Sequence, residues 1–256
     1  MPVDNVIALI GVQIAFGLVM LVVLWPTPRA ATNLLARWGV GDPTAAERAE
    51  ALTYLRRRRL WYPWLFIGLP AALTAVGVLT TDDQNHSSWS IPATLLIGGL
   101  LAELFAQRRA PAPVRTAVPV RRKPTDLVPL WALIAHATTA IATVVTLGSA
   151  AAGVAWARWW YEFWPERSVW IALIAAPLSA VAVWALVGLA VRRPPVAELR
   201  IDPVLRARSA RVPVGLGTAV LCVPLAGTQS PSPFIMVAGL FIWVAVANPS
   251  SRGVRV

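Results

Sequence analysis

The chain has 256 residues, of which 57% are hydrophobic and only 14% are charged, and its formal net charge is +11. A soluble globular domain has about 45–50% apolar and about 25% charged residues, so this composition excludes an ordinary soluble domain. The apolar excess lies in long runs that reach the roughly 17–25 residues needed to cross a bilayer. The composition therefore predicts an all-α, polytopic transmembrane helix bundle, with residues 1–256 forming a single integral membrane domain.

Apolar segments follow one another along the chain and predict about seven spans. They cover residues 6–25, 61–80, 90–106, 128–156, 168–190, 212–227 and 231–248. The last two are short for a full crossing, so a re-entrant hairpin is an alternative to two complete spans. Both arrangements return the C-terminus to the same side of the membrane.

Between the first two spans, one helix outside the bilayer is predicted at about residues 44–60. Thr44 and Glu47 have the spacing of a capping box, in which each side chain accepts a hydrogen bond from the other residue's backbone amide. The Ala, Leu, Glu and Arg content that follows favours a helix. We expect this helix to lie in the cytoplasm and to run up to the second span.

Basic residues are concentrated on alternate connections between the predicted spans. Of the 23 Lys and Arg residues, 21 lie in residues 27–60, 107–127 and 191–211 and in the C-terminal tail. The positive-inside rule then predicts an N-terminus outside and a cytoplasmic C-terminus. Arginine outnumbers lysine 22 to 1, a bias typical of high-GC bacterial genomes, so we expect a multi-pass protein of a bacterial cytoplasmic (inner) membrane. No nucleic-acid partner is expected, because these loops are short and repeat the alternation of the spans.

Four consecutive arginines form a membrane-surface basic cluster at the start of the second span: Arg56, Arg57, Arg58 and Arg59. At this position the cluster gives an orientation signal and can contact anionic lipid headgroups. The lipid bilayer is thus one expected partner of the chain.

Two basic loops resemble each other and suggest an internal repeat. Residues 108–129 and 192–213 match at 8 of 22 positions without gaps. The match predicts a duplication of 90–156 and 168–227 as parallel repeats, an arrangement that some transporters use. The alternative is that two loops rich in arginine and proline match through composition alone.

Polar side chains inside a bilayer are costly and are candidates for function. The fourth span carries a candidate intramembrane polar face, because a spacing of three or four places its members on one side of a helix: His136, Thr139, Thr143 and Thr146. This face either lines a solute path or packs inside the bundle, with the threonines bonded to backbone carbonyls. The packed arrangement is the expected one.

Carboxylates near the ends of spans are the other candidates. Glu103, near the inner end of the third span, is a candidate inner-interface carboxylate, either a proton or cation site or a group paired with neighbouring arginines. Glu162 and Glu166, on the outer side, form either an acidic spot or a solvated edge, and we expect the solvated edge.

No catalytic, cofactor-binding or metal-binding residue is predicted. The single lysine, Lys123, lies in a loop and cannot hold retinal within the bundle, and one intramembrane histidine cannot hold a bis-histidine haem. The chain has no Walker A, HExxH, CxxC or GxSxG motif. Asp82, Asp83 and His86 are too weak a pattern to indicate a metal ion.

Three stretches, YLRRRRLWYP, LLAELFAQRRAPAPVRTA and RRKPTDLVPLWA, resemble small polytopic membrane proteins of actinobacteria. The resemblance covers the second to fourth spans and their loops. It implies a membrane location and a bacterial source, and it supplies no activity and no catalytic residue.

These observations favour a non-enzymatic subunit or accessory component of a larger membrane assembly, with protein partners or further copies of itself in the bilayer. No cofactor is expected. A small secondary transporter or channel is the alternative, supported by the repeat, the polar face and three prolines within the spans: Pro70, Pro177 and Pro224. A membrane-embedded enzyme is the third interpretation.

Overall fold

The computed structural model describes residues 19, 21–22, 25–75, 101–102, 104, 123–162, 164, 166–192, 201–227 and 232–248, with the backbone alone for 61–75 and 232. The chain divides into two compact units, Met1–Ala110 and Pro111–Val256. Throughout the described ranges the regular structure is helical, without a strand.

In the first unit, helix α1 (Pro28–Arg37) packs against helix α2 (Ala45–Ala75). The predicted capping box is present at the start of α2: the Thr44 amide donates to Glu47 Oε2 at 2.8 Å, and the Glu47 amide donates to Thr44 Oγ1 at 3.2 Å. Trp38 and Tyr54 are fully buried in this unit. Helix α2 continues without a break through the four arginines and past Pro70.

The second unit contains six described helices: α3 (Pro124–Leu127), α4 (Leu130–Ala151), α5 (Ala155–Trp160), α6 (Glu166–Arg192), α7 (Asp202–Ala226) and α8 (Ser232–Ala247). Three of them, α4, α6 and α7, are long and apolar enough to cross a membrane. Helix α8 is apolar but has only 16 residues. Pro177 lies inside α6, and Pro213 and Pro224 lie inside α7.

Helix α7 is the central helix of this unit and contacts α3, α4, α6 and α8. Of its most apolar stretch 67% is buried, against 28% for α4 and 22% for α6. Glycines allow this close packing, because membrane helices approach most closely where their residues are small. A Cβ at Gly215 would lie 3.0 Å from the Trp243 Cα of α8, and one at Gly239 would lie 2.8 Å from the Cys222 Cβ of α7.

Helix α7 begins ten residues before the sixth predicted span. The sixth span was expected from residue 212, after a basic connection, but the helix begins at Asp202. Hydropathy assigns this stretch to a loop because it is rich in arginine. The helix buries part of that charge instead: Arg206 is 1% exposed and forms an ion pair with Asp202, one turn earlier, at 2.7 Å.

Candidate functional site

The predicted polar face of α4 begins at His136, which is completely buried where α4, α6 and α7 meet. The ring lies against Gly217 of α7: a Cβ added there would be 3.1 Å from His136 Cε1 and in collision with Val183 of α6. Trp184 of α6 approaches the same ring, with 6.4 Å between ring centroids. The absence of a side chain at Gly217 therefore creates the space that the imidazole needs.

Hydrogen bonding assigns the tautomer of His136. Thr218 Oγ1 lies 2.8 Å from the Val214 carbonyl, which can only accept, so the threonine hydroxyl donates its one proton there. The same oxygen lies 3.3 Å from His136 Nδ1 and must accept from it. In this arrangement the His136 proton lies on Nδ1. The ring is fully buried with no carboxylate partner among the described residues, which disfavours its charged form, and Nε2 then carries a lone pair without a hydrogen-bond partner in the same part of the chain.

The three threonines of the face are bonded to backbone carbonyls, as in the packed arrangement that the sequence favoured. Thr139 Oγ1 donates to Ala135 O at 2.7 Å within its own helix. Thr143 is fully buried, and its Oγ1 lies 2.8 Å from Thr139 O and 3.1 Å from the Leu221 carbonyl of α7. The single hydroxyl proton of Thr143 is shared between these two carbonyls, one on α4 and one on α7, and in this way links α4 to the central helix.

Thr146 connects this face to the end of the bundle. Its Oγ1 lies 2.9 Å from Ala142 O and 3.1 Å from the hydroxyl of Tyr161, which follows α5. Burial raises the pKa of Tyr161, and the hydrogen bond with Thr146 partly offsets that rise. The phenol is therefore protonated at neutral pH and anchors α5 against α4.

A second contact attaches α5 to α7. Trp160 Nε1 donates to Leu225 O at 3.0 Å, and the indole packs over Gly227, which ends α7 with a φ of 60°. A side chain at Gly227 would collide with Trp160 and would also be strained by the positive φ. The aromatic run after α4 is consequently folded onto the bundle instead of projecting from it.

The remaining predicted residues lie elsewhere. Arg56 to Arg59 are in α2 of the first unit, where Arg56 and Arg57 are exposed and the other two are partly buried. Glu103 and the weak metal pattern at 82–86 fall outside the described residues. Among the residues that are described, no three His, Cys, Asp or Glu side chains form a metal-binding group.

Sequence reasoning missed the partners that α7 supplies. The candidates were ionisable residues and the polar residues of the fourth span. Thr218 and Gly217, in the apolar run 212–227, were therefore not included. The signal was a hydroxyl beside two glycines in the stretch GLGT, since small and polar residues are common where membrane helices meet. The spacing of Asp202 and Arg206 by four residues was a second unused signal.

Comparisons of the chain with protein-family models, with curated proteins and with solved structures find no match.

Proposed function

We propose that this chain is a multi-pass protein of a bacterial cytoplasmic membrane and serves as a non-enzymatic subunit or accessory component of a larger membrane assembly. The proposal rests on one observation: polar side chains of α4 form hydrogen bonds with helix α7. His136 bonds to Thr218, and Thr143 bonds to the Leu221 carbonyl. These polar groups hold helices together, whereas a solute path needs them to face water.

The outer faces of the second unit support a membrane environment. Exposed large apolar side chains follow α4, α6 and α8 along their length, and contiguous apolar surface of this kind marks a membrane or protein interface: Leu130, Trp131, Ile134, Ile141, Val145, Trp170, Ile174, Leu178, Val181, Trp184, Leu189, Phe234, Val237, Leu240, Phe241 and Val244. Lipid covers such faces in a bilayer, and helices of a partner or of a second copy pack on the same faces. Seven spans with an external N-terminus remain part of this proposal, supported by the distribution of arginines.

Cross-linking in intact membranes followed by affinity purification and mass spectrometry tests the proposed role. We expect specific membrane proteins, or further copies of this chain, to be recovered in defined stoichiometry. A tagged multi-pass protein of similar abundance serves as the control for non-specific capture. Recovery of the monomer alone, at a level of cross-linking that captures known complexes in the same membranes, would contradict the proposal.

A small transporter is the second candidate, and the Nε2 atom of His136 favours it. A buried lone pair without a hydrogen bond is costly, and such groups inside spans can relay protons. Proteoliposomes with a trapped pH-sensitive dye test this directly. Proton flux that the wild-type protein supports, and that a folded His136→Ala variant loses, would establish the transporter and displace the subunit role.

A further inference from the structure

A cleft of about 430 Å³ lies where the end of α4, the α5 segment and the beginning of α6 meet. Its inner wall is formed by Ala150, Tyr161 and Val169, which are buried, and by Trp164, which is partly buried. Exposed side chains stand around it: Arg158, Trp159, Glu162 and Glu166. The volume lies within the roughly 300–1,000 Å³ typical of small-molecule sites.

The charged side chains around the cleft are available to a ligand. The side chains of Arg158, Glu162 and Glu166 form no ion pair or hydrogen bond with any residue that the structure describes. The Arg158 guanidinium lies over Gly153, with its Cζ 3.8 Å from where a Cβ would be. One guanidinium and two carboxylates thus line the same cleft without forming ion pairs with each other.

We propose that this cleft binds the zwitterionic headgroup of an aminophospholipid. Arg158 pairs with the phosphate, because a guanidinium donates two parallel hydrogen bonds to phosphate oxygens. Glu162 and Glu166 accept hydrogen bonds from the ammonium group, and the neighbouring indoles offer π-faces that attract a cation. The inference rests on the proposed membrane location and identifies one lipid that the bundle selects.

The position of the cleft favours a lipid over a water-soluble zwitterion. It lies at the ends of α4 and α6, two helices long enough to cross a bilayer. The short helix α5 beside it exposes Trp156 and Trp159, each more than half accessible, and indoles of this kind concentrate at the headgroup level. Acyl chains of a bound lipid can then extend along the exposed apolar faces of α4 and α6.

The test is native mass spectrometry of the full chain, released from nanodiscs of defined lipid mixtures. The mixtures contain phosphatidylethanolamine and phosphatidylglycerol with identical acyl chains. We expect the wild-type protein to retain phosphatidylethanolamine about tenfold more than phosphatidylglycerol, which corresponds to about 1.4 kcal/mol, because phosphatidylglycerol has no ammonium group to donate to the two carboxylates. The Glu162→Gln/Glu166→Gln double variant should lose this preference.

Matched controls separate the cleft from the rest of the surface. Trp159→Ala should lower retention of phosphatidylethanolamine, whereas Trp156→Ala, on the same helix but outside the cleft, should not. Arg158→Gln should lower retention of phosphatidylethanolamine because it removes the phosphate partner, whereas Arg192→Gln at the far end of α6 should leave that retention unchanged. If the two tryptophan variants, or the two arginine variants, lowered retention of phosphatidylethanolamine equally, the cleft would not be the lipid-binding site.

The remaining outcomes distinguish the headgroup from the membrane proposal. A protein that enters nanodiscs but shows no headgroup preference would refute the cleft and leave the membrane proposal standing. A protein that fails to enter nanodiscs would refute both. Displacement of the lipid by equimolar glycerophosphoethanolamine would overturn the lipid assignment in favour of a soluble ligand, because the acyl chains would then contribute nothing.

Discussion

At the scale of single residues, the buried junction around His136 depends on the absence of a side chain at position 217. A methyl group at this position would collide with Val183 and would lie 3.1 Å from His136 Cε1, in the ring whose Nδ1 bonds to Thr218. The histidine itself was visible in the sequence as the polar residue of an apolar run. Its partners were not, because Thr218 lies 82 residues away and only helix packing brings the two together.

Gly217→Ala should destabilise the bundle, because the new Cβ collides with Val183 and approaches His136. We expect a loss of about 1–3 kcal/mol, the usual cost of overpacking, measured by titration with a denaturing detergent. Gly188→Ala in α6 is the matched control, since a Cβ there meets nothing within 4 Å. A stability loss of equal size in the two variants would show that the close approach at Gly217 is not what limits substitution.

Thr218→Val should also lower stability, because the side chain keeps its shape but can no longer accept the His136 Nδ1 proton. A buried donor left without a partner costs about 1–3 kcal/mol. Thr218→Ser retains the hydroxyl and should stay close to the wild type. Thr138→Val is the control on α4, since Thr138 is exposed and its hydroxyl bonds only to carbonyls of its own helix. Similar unfolding free energies for the two valine variants would show that the hydrogen bond between Thr218 and His136 does not stabilise the bundle.

At the scale of helices, the sequence located α4 and α6 well because both are continuous apolar runs. The capping box at Thr44 and Glu47 was likewise readable, since it depends only on residues three apart. The early start of α7 was not readable from hydropathy. A buried arginine looks like a loop residue until its carboxylate partner, one helical turn away, is taken into account.

The buried ion pair at the start of α7 gives a prediction for this element. Asp202→Asn keeps the shape of the side chain but removes its charge and leaves Arg206 buried with less compensation. We expect a loss of about 3 kcal/mol, within the range for breaking a buried pair. Unfolding by denaturing detergent measures it.

Asp126→Asn provides the comparison for that experiment. Asp126 is exposed and accepts a hydrogen bond from the Lys123 amide at the start of α3. The loss of this capping hydrogen bond should lower the free energy of unfolding by about 1 kcal/mol or less, as for other capping residues. If the Asp202 variant were no less stable than the Asp126 variant, the ion pair would not stabilise the beginning of α7.

At the scale of the whole molecule, composition was sufficient to predict a helical protein with helices of membrane-crossing length. The reason is physical: a bilayer requires each spanning segment to satisfy its own backbone hydrogen bonds, and long apolar helices do so. The function was harder to predict from the sequence. The polar residues of α4 would be the same whether they lined a solute path or packed against other helices. Their hydrogen bonds to α7 support the packed subunit.

The proposed orientation of the bundle rests on the distribution of arginines, and cysteine labelling of two connections tests it. Cysteines introduced in 82–87 should be accessible from outside in intact cells, whereas cysteines in 110–122 should react only after permeabilisation. The basis is the positive-inside rule, since the connection at 107–127 carries six Lys and Arg residues and residues 82–87 carry none. The reverse pattern would invert the orientation.

The most direct test of the central claim, that these helices cross a bilayer, uses the two ends of α6. In a Cys222→Ala background, Glu162→Cys and Arg192→Cys are placed just before α6 and at its last residue, and both positions are exposed. A membrane-impermeant maleimide applied to intact cells should label residue 162 and should reach residue 192 only after the membrane is permeabilised. Labelling of both positions from the same side would contradict a membrane-crossing α6 and the account built on it.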